Sequence, residues 1–184
     1  MPRRSAPPGR LFFGVFTGFE NLFDWVRQEL TATFGALDPP LESPVFPFPQ
    51  TRTYTKTMGS GLRRKFFFLM KPFPQDGLAA IKLRTIELEE KAKALEPKRV
   101  ERPINIDPGL LNDCRIVLAS TKDYSHRIYR GDGIWEEVTL VFTKGAFQTL
   151  PWTYPDFQQR EYLEYFARVR EGHLGFLRGL GDDG

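Results

Sequence analysis

Cysteine and histidine are scarce in this chain: 184 residues hold one cysteine and two histidines. With Cys114 alone, no disulfide can form within the chain, and a thiolate zinc site lacks its ligands. Cys114 opens the apolar run Cys-Arg-Ile-Val-Leu-Ala119 and is expected as a buried small hydrophobe. No uninterrupted apolar stretch approaches the roughly 18 residues of a membrane span. No secretory apolar region follows the basic, proline-rich first ten residues. The expectation is a cytoplasmic protein with no membrane partner.

Several catalytic strings are missing too. A P-loop needs G-x-x-x-x-G-K-[ST] to cradle phosphates. The nearest glycine cluster, Gly59-Ser-Gly-Leu-Arg-Arg-Lys65, lacks the spacing and the hydroxyl after lysine. There is no G-x-S-x-G elbow for a serine nucleophile. Neither histidine belongs to a His-x-[ST] motif, since His126 precedes Arg127-Ile128 and His173 precedes Leu174-Gly175. The sequence names no cofactor and shows no recognised metal spacing.

Aromatic side chains, in contrast, are plentiful: 14% of the chain, with 17 phenylalanines, against 41% hydrophobic residues in all. That composition predicts one folded domain with an aromatic core, over residues 11–171. Residues 1–10 are expected as a flexible basic tail and residues 172–184 as a flexible C-terminal tail. The net charge of +3 admits anionic partners without requiring them.

Periodicity supplies the elements. Leu11–Phe16 is a short apolar run ended by Thr17-Gly18, a buried strand. Leu22, Val26, Leu30 and Phe34 recur every four residues, which predicts a helix over 20–34 stopped by Gly35. The prolines of residues 44–49 confine that stretch to a sheet edge, and alternation over Thr51–Thr57 predicts an extended continuation. A strand over Lys65–Lys71 follows the glycine turn. A second helix over 76–95 buries Leu78, Ile81, Thr85, Leu88, Ala92 and Leu95, with Glu87, Glu89, Glu90, Lys91 and Lys93 on a solvated face. Arg102–Pro108 is an extended piece.

This strand, helix, strand, strand, helix, strand order predicts an α+β fold with a ferredoxin-like antiparallel sheet core (βαββαβ) and both helices on one face. A C-terminal β-hairpin around the turn Arg130-Gly-Asp-Gly133 and a final helix starting near Asp156 extend it. Leu163, Phe166 and Val169 form that helix's inner stripe. Arg115–Ala119 reads equally as strand or helix.

The strings Leu62-Arg-Arg64, Arg102-Pro-Ile-Asn-Ile-Asp-Pro-Gly109, Ala119-Ser-Thr-Lys-Asp-Tyr-Ser-His-Arg-Ile-Tyr129, Glu137-Val-Thr-Leu140 and Leu150-Pro-Trp-Thr-Tyr-Pro-Asp156 occur in order along the chain. On these the sequence resembles an uncharacterised bacterial family, domain of unknown function number 4416, over about residues 10–170. The resemblance implies no activity. Some similar proteins carry a GTP-binding label, against which the missing P-loop argues.

The candidate chemistry clusters in residues 119–140. Asp123 and His126, three apart, could meet across a turn, where a carboxylate would orient the imidazole as a general acid or base. Arg127 could clamp a phosphate or carboxylate, with Lys122 beside it. Strand alternation would place His126 and Arg127 on opposite faces. Asn105 and Asp107, two apart, share a face before the expected turn Pro108-Gly109. Of Glu136 and Glu137, on opposite faces, at most one joins a site. Trp152 and Tyr154 lie in a stiff Pro-flanked loop able to wall a pocket.

The first functional expectation is a protein that binds a small anionic ligand, of nucleotide or phosphate type, in a polar site at the sheet end. Asn105, Asp107, Lys122, Asp123, His126, Arg127, Trp152 and Tyr154 would form that site. Whether it catalyses is left open. The alternatives are a nucleic-acid-binding module using Arg52, Lys56, Arg63, Arg64 and Lys65 on a basic hairpin, and a non-catalytic interaction protein.

Overall fold

The computed structural model describes residues 6–49, 52–95 and 100–182. Eight strands and four α-helices follow in order: β1 (Arg10–Thr17), α1 (Leu22–Phe34), β2 (Phe46–Pro47), α2 (Arg52–Met58), β3 (Arg63–Phe68), α3 (Leu78–Ala92), β4 (Ile104–Leu111), β5 (Arg115–Ser120), β6 (Ile128–Gly131), β7 (Ile134–Thr143), β8 (Ala146–Thr149) and α4 (Arg160–Asp182). The strands form one open sheet in the order β2-β3-β1-β4-β5-β7-β6, with β8 also on β7, and every pairing is antiparallel. The protein is thus a mixed α and β structure whose sheet runs well past a four-stranded core. Among the described residues, no helix is long and apolar enough to cross a membrane.

Alternation along the central strands builds two cores. Leu11, Phe13 and Val15 of β1 point with Phe67, Ile104 and Ile106 towards α1 and α3, which bring Leu22, Val26, Leu30, Leu78 and Leu88. Phe12 points the other way with Phe66, Phe68, Leu118 and Leu140, against Tyr162, Tyr165, Phe166 and Val169 of α4. Most of the phenylalanines read as core do sit there. Phe66 alone makes ring contacts with Phe12, Phe46, Phe157, Tyr162, Tyr165 and Phe166.

Several expectations need correction. Of the stretch 51–57 expected as extended, residue 51 lies outside the described residues and 52–57 are helical, because Tyr54 and Met58, four apart, pack one turn above each other beside Phe16 and Phe48. The helix expected to stop before Gly172 continues to Asp182, with His173 buried on its inner face. It also begins at Arg160, after a 3₁₀ turn over Pro155–Gln158, so Asp156 is free to point elsewhere. At the other end, Gly9 bridges to Phe73 and Arg10 opens β1, so these two residues of the expected tail join the sheet, while residues 1–5 lie outside the described residues. Cys114 is exposed, since it lies in the tight connection between β4 and β5 and the buried part of the run starts at Ile116.

Pro108-Gly109 is not a turn but the middle of β4. Asn112 donates from its backbone N–H to Arg115 O at 3.0 Å, so the even-numbered residues of β4 turn their backbone groups towards β5. Proline has no N–H to give, and the β4–β5 ladder reaches only from Leu111 back to Gly109. Gly109 itself is required, because a Cβ there would collide with the Phe12 ring and approach Leu118 Cδ2 to 2.7 Å. Beyond Pro108, Ile104–Asp107 stays on β1 while Ala119–Ser120 stays on β7. The sheet forks.

Candidate functional site

A cavity of about 480 Å³ fills this fork. Its walls come from α2, β3, α3, β4, the end of β5, β7 and the loop before α4. The lining carries four basic side chains, Arg64, Lys82, Arg102 and Lys122, and four acidic ones, Glu89, Asp107, Glu137 and Asp156.

Two of them replace the missing strand partner. Ile106 sits where β4 has left β5, and its N–H and C=O would be orphaned. Glu89 Oε1 accepts from the Ile106 N–H at 2.8 Å, and Lys82 Nζ donates to the Ile106 carbonyl at 2.9 Å. Both come from α3, seven residues apart and so two turns apart on one face. Lys82 also lies 3.5 Å from Asp107 Oδ1 and 3.7 Å from Glu89 Oε1. The Glu89 assigned to the solvated face is therefore turned inward.

Arg64 crosses the floor. It donates to Asp156 Oδ2 at 2.6 Å and to Asp107 Oδ2 at 3.2 Å, and its guanidinium stands 4.8 Å from the ring centres of both Phe16 and Phe48. Arg102 donates to Asn105 Oδ1 at 2.6 Å and reaches Glu89 at 3.4 Å.

The surroundings pull the three inner carboxyls apart. Burial lifts Glu89 above the usual carboxylate range, and Lys82 and the Ile106 N–H offset only part of that. Burial also lifts Asp156, against Arg64. Burial would raise Asp107 as well, but Lys82 and Arg64 outweigh it and hold this carboxyl below its ordinary value.

The signs for stability follow. A carboxyl raised by folding takes its proton in the folded state first, so acidification through its folded pKa adds stability. A lowered one contributes above its ordinary pKa and loses that contribution as pH falls through the depressed value. Between neutrality and the carboxylate range, Glu89 and Asp156 thus make acidification favourable. Glu89→Gln is expected to flatten that part of a melting-temperature-versus-pH curve recorded by circular dichroism; an unchanged curve would contradict the assignment.

A second cluster stands beside the cavity and is held together by Glu137, a β7 residue whose side chain is 1% exposed. Glu137 Oε2 accepts from Arg127 Nε at 2.7 Å and lies 3.0 Å from His126 Nε2; its Oε1 accepts from Thr139 at 3.2 Å. Arg127 also donates to Ser120 Oγ and to Lys122 O, each at 2.8 Å, and to the Tyr154 hydroxyl. Burial and the Glu137 charge, outweighing Arg127, push that hydroxyl up to about 12. The His126 ring is near-parallel to those of Tyr124 and Trp152, with ring centres 5.9 and 5.1 Å away, and Trp152 Nε1 is tied to Val138 O at 2.8 Å.

Asn105, Asp107, Lys122 and Tyr154 are thus brought together in one cavity. Asp123, His126, Arg127 and Trp152 are not part of its lining, and Asp123 is exposed. The carboxylate partner of His126 is Glu137, not Asp123. Arg127 spends its donors on the protein itself, as a brace rather than a free anion clamp. His126 and Arg127 meet on one carboxylate because His126 precedes β6, where strand alternation does not apply.

The basic hairpin is dispersed by alternation along β3. Arg64 is buried in the cavity, Arg63 is exposed and paired with Glu20, and Lys65 pairs with Glu42 at 3.2 Å. Lys56 is exposed on α2, and Arg52 opens that helix.

Lys82, Glu89, Arg102 and Asp156 were not read from sequence as site residues, and Glu137 only as one of a pair of which at most one could join a site. The seven-residue spacing of Lys82 and Glu89 was the one available signal. Among the described residues, no three His, Cys, Asp or Glu side chains converge as metal ligands.

These features define a class: an α and β protein with a forked antiparallel sheet and a charged cavity in the fork. The family model for the domain of unknown function DUF4416 matches residues 7–173, and the chain belongs to that family. No curated protein and no solved structure matches it.

Proposed function

We propose that the protein binds a small anionic molecule in the fork of the sheet. The observation that carries this is the cavity itself: about 480 Å³, within the roughly 300–1,000 Å³ usual for ligand pockets, and lined by eight charged side chains. A cavity of that polarity is costly for a protein that uses it only for packing. Lys122 supports the anionic character. It is exposed on the lining and has no ion pair among the described residues, whereas Lys82 and Arg64 are committed to internal carboxylates. The nucleic-acid alternative has less support, because Arg64 is buried in the cavity and Arg63 and Lys65 are paired with Glu20 and Glu42.

Two finer statements belong to the same proposal. The antiparallel order β2-β3-β1-β4, with α1 and α3 on one face, supports a ferredoxin-like core within the larger sheet. The single cysteine supports a cytoplasmic location.

Native mass spectrometry of the full chain purified gently from its own cells tests the ligand. A retained molecule on the order of a few hundred daltons is expected, and Ile86→Trp, which fills the lining, should remove it. A spectrum of the bare chain alone would count against the proposal.

A further inference from the structure

Asp107 is the acidic side chain of the cavity most open to an occupant. Although β4 lies between β1 and β5, 29% of this side chain is accessible, compared with 14% for Glu89, 8% for Asp156 and 1% for Glu137. The accessible part faces the cavity, because Asp107 lies where β4 has parted from β5 and forms part of the lining. Each carboxylate oxygen already has one cation: Lys82 Nζ at 3.5 Å from Oδ1 and Arg64 Nη2 at 3.2 Å from Oδ2. A carboxylate offers about four lone-pair directions, so acceptor capacity remains for a donor on the ligand.

The charge balance selects that donor. An ammonium would come within a few ångströms of both Lys82 and Arg64, two like charges in a poorly solvated cavity. A hydroxyl donates to the same oxygen and adds no charge. At the exposed side of the lining the situation is reversed, for Lys122 is a cation without a carboxylate partner among the described residues.

We infer that the ligand is a hydroxylated organic anion: its hydroxyl donates to Asp107, and its phosphate or carboxylate sits at Lys122. This rests on the ligand-binding role proposed above and adds the class of molecule. Lys82 and Arg64 are positioning residues here, fixing the Asp107 carboxylate and excluding a cationic donor.

Isothermal titration of the full chain with two matched sets tests it. 2-Hydroxyethyl phosphate, ethyl phosphate and phosphoethanolamine share a phosphate and differ in hydroxyl, hydrogen and ammonium; malate, succinate and aspartate do the same for carboxylates. The hydroxylated member of at least one set is expected to bind about 10-fold or more tightly than its two partners, as a hydrogen bond to a charged group allows. The set that responds identifies the anion.

Asp107→Asn should erase the preference. Lys122→Gln, at an exposed side chain, should weaken all three members of the responding set alike and leave the ranking intact. Should Asp107→Asn not fold, the wild-type ranking and Lys122→Gln decide. Equal or tighter binding of the ammonium or unsubstituted members, or no binding of any probe, overturns the inference. A molecule retained in the native spectrum alongside either result would leave the cavity's ligand-binding role standing.

Discussion

Glu137→Leu is expected to destabilise the protein by about 3–5 kcal/mol, the usual consequence of removing one partner from a buried ion pair. The Arg127 side chain is 2% exposed and Glu137 1%, so the substitution leaves a guanidinium without its carboxylate and without access to water. Three structural pieces separate at once. Arg127 ties Glu137 of β7 to the end of β5 through Ser120, to the following loop through the Lys122 carbonyl, and to the loop before α4 through Tyr154. Arg127→Met in the same background should recover part of the loss, because the uncompensated charge is then gone. Chemical denaturation of the two single variants and the double variant measures this. Additive losses would mean that the pair is not coupled, and a loss near zero would mean that Arg127 finds another acceptor.

Arg64→Met is expected to cost a similar amount, about 3–5 kcal/mol, through the opposite imbalance. Asp156, with 8% of its side chain exposed, and Asp107 would lose their shared cation. The guanidinium also leaves the four rings of Phe16, Phe48, Phe66 and Phe157 that surround it. Burial already lifts Asp156 with Arg64 in place; without Arg64 it rises further. The variant should therefore gain more stability than the wild type does as pH falls from neutral towards the carboxylate range, since its folded state takes up that proton first. Asp156→Asn in the Arg64→Met background should restore stability at neutral pH and abolish the extra gain. Melting temperature against pH for the three proteins checks both. A parallel shift of the whole curve would show that ring packing, not charge, is what Arg64 supplies.

The candidate site was partly visible in the sequence. Asn105 and Asp107 were legible because a two-residue spacing on a strand puts side chains on one face wherever the strand lies. Lys122 and Tyr154 were legible only as members of rich segments. Their neighbours His126 and Arg127 looked equally reactive, yet both are committed to Glu137 beside the cavity. Residue type alone cannot distinguish a side chain that faces an open volume from one that braces a loop. Arg64 was noticed for the wrong reason. In a hairpin it reads as surface charge, and only the alternation of β3 against β1 turns it inward.

Sequence by itself determined the pieces. The apolar periods placed β1, α1 and α3, the phenylalanine run made β3 a buried strand, and Pro108 forbade an unbroken ladder at that point of β4. These are local consequences of side-chain spacing and of a missing N–H. Only the tertiary structure decided which edge of β4 that proline faces, and hence that the sheet opens between β4 and β5. The orphaned Ile106 groups then draw in Lys82 and Glu89 from a helix that sequence made wholly amphipathic. The physical reason is range. A strand's period is written in neighbouring residues, but the cavity joins charges from residue 64 to residue 156, and their protonation and pairing exist only once the chain has closed around them.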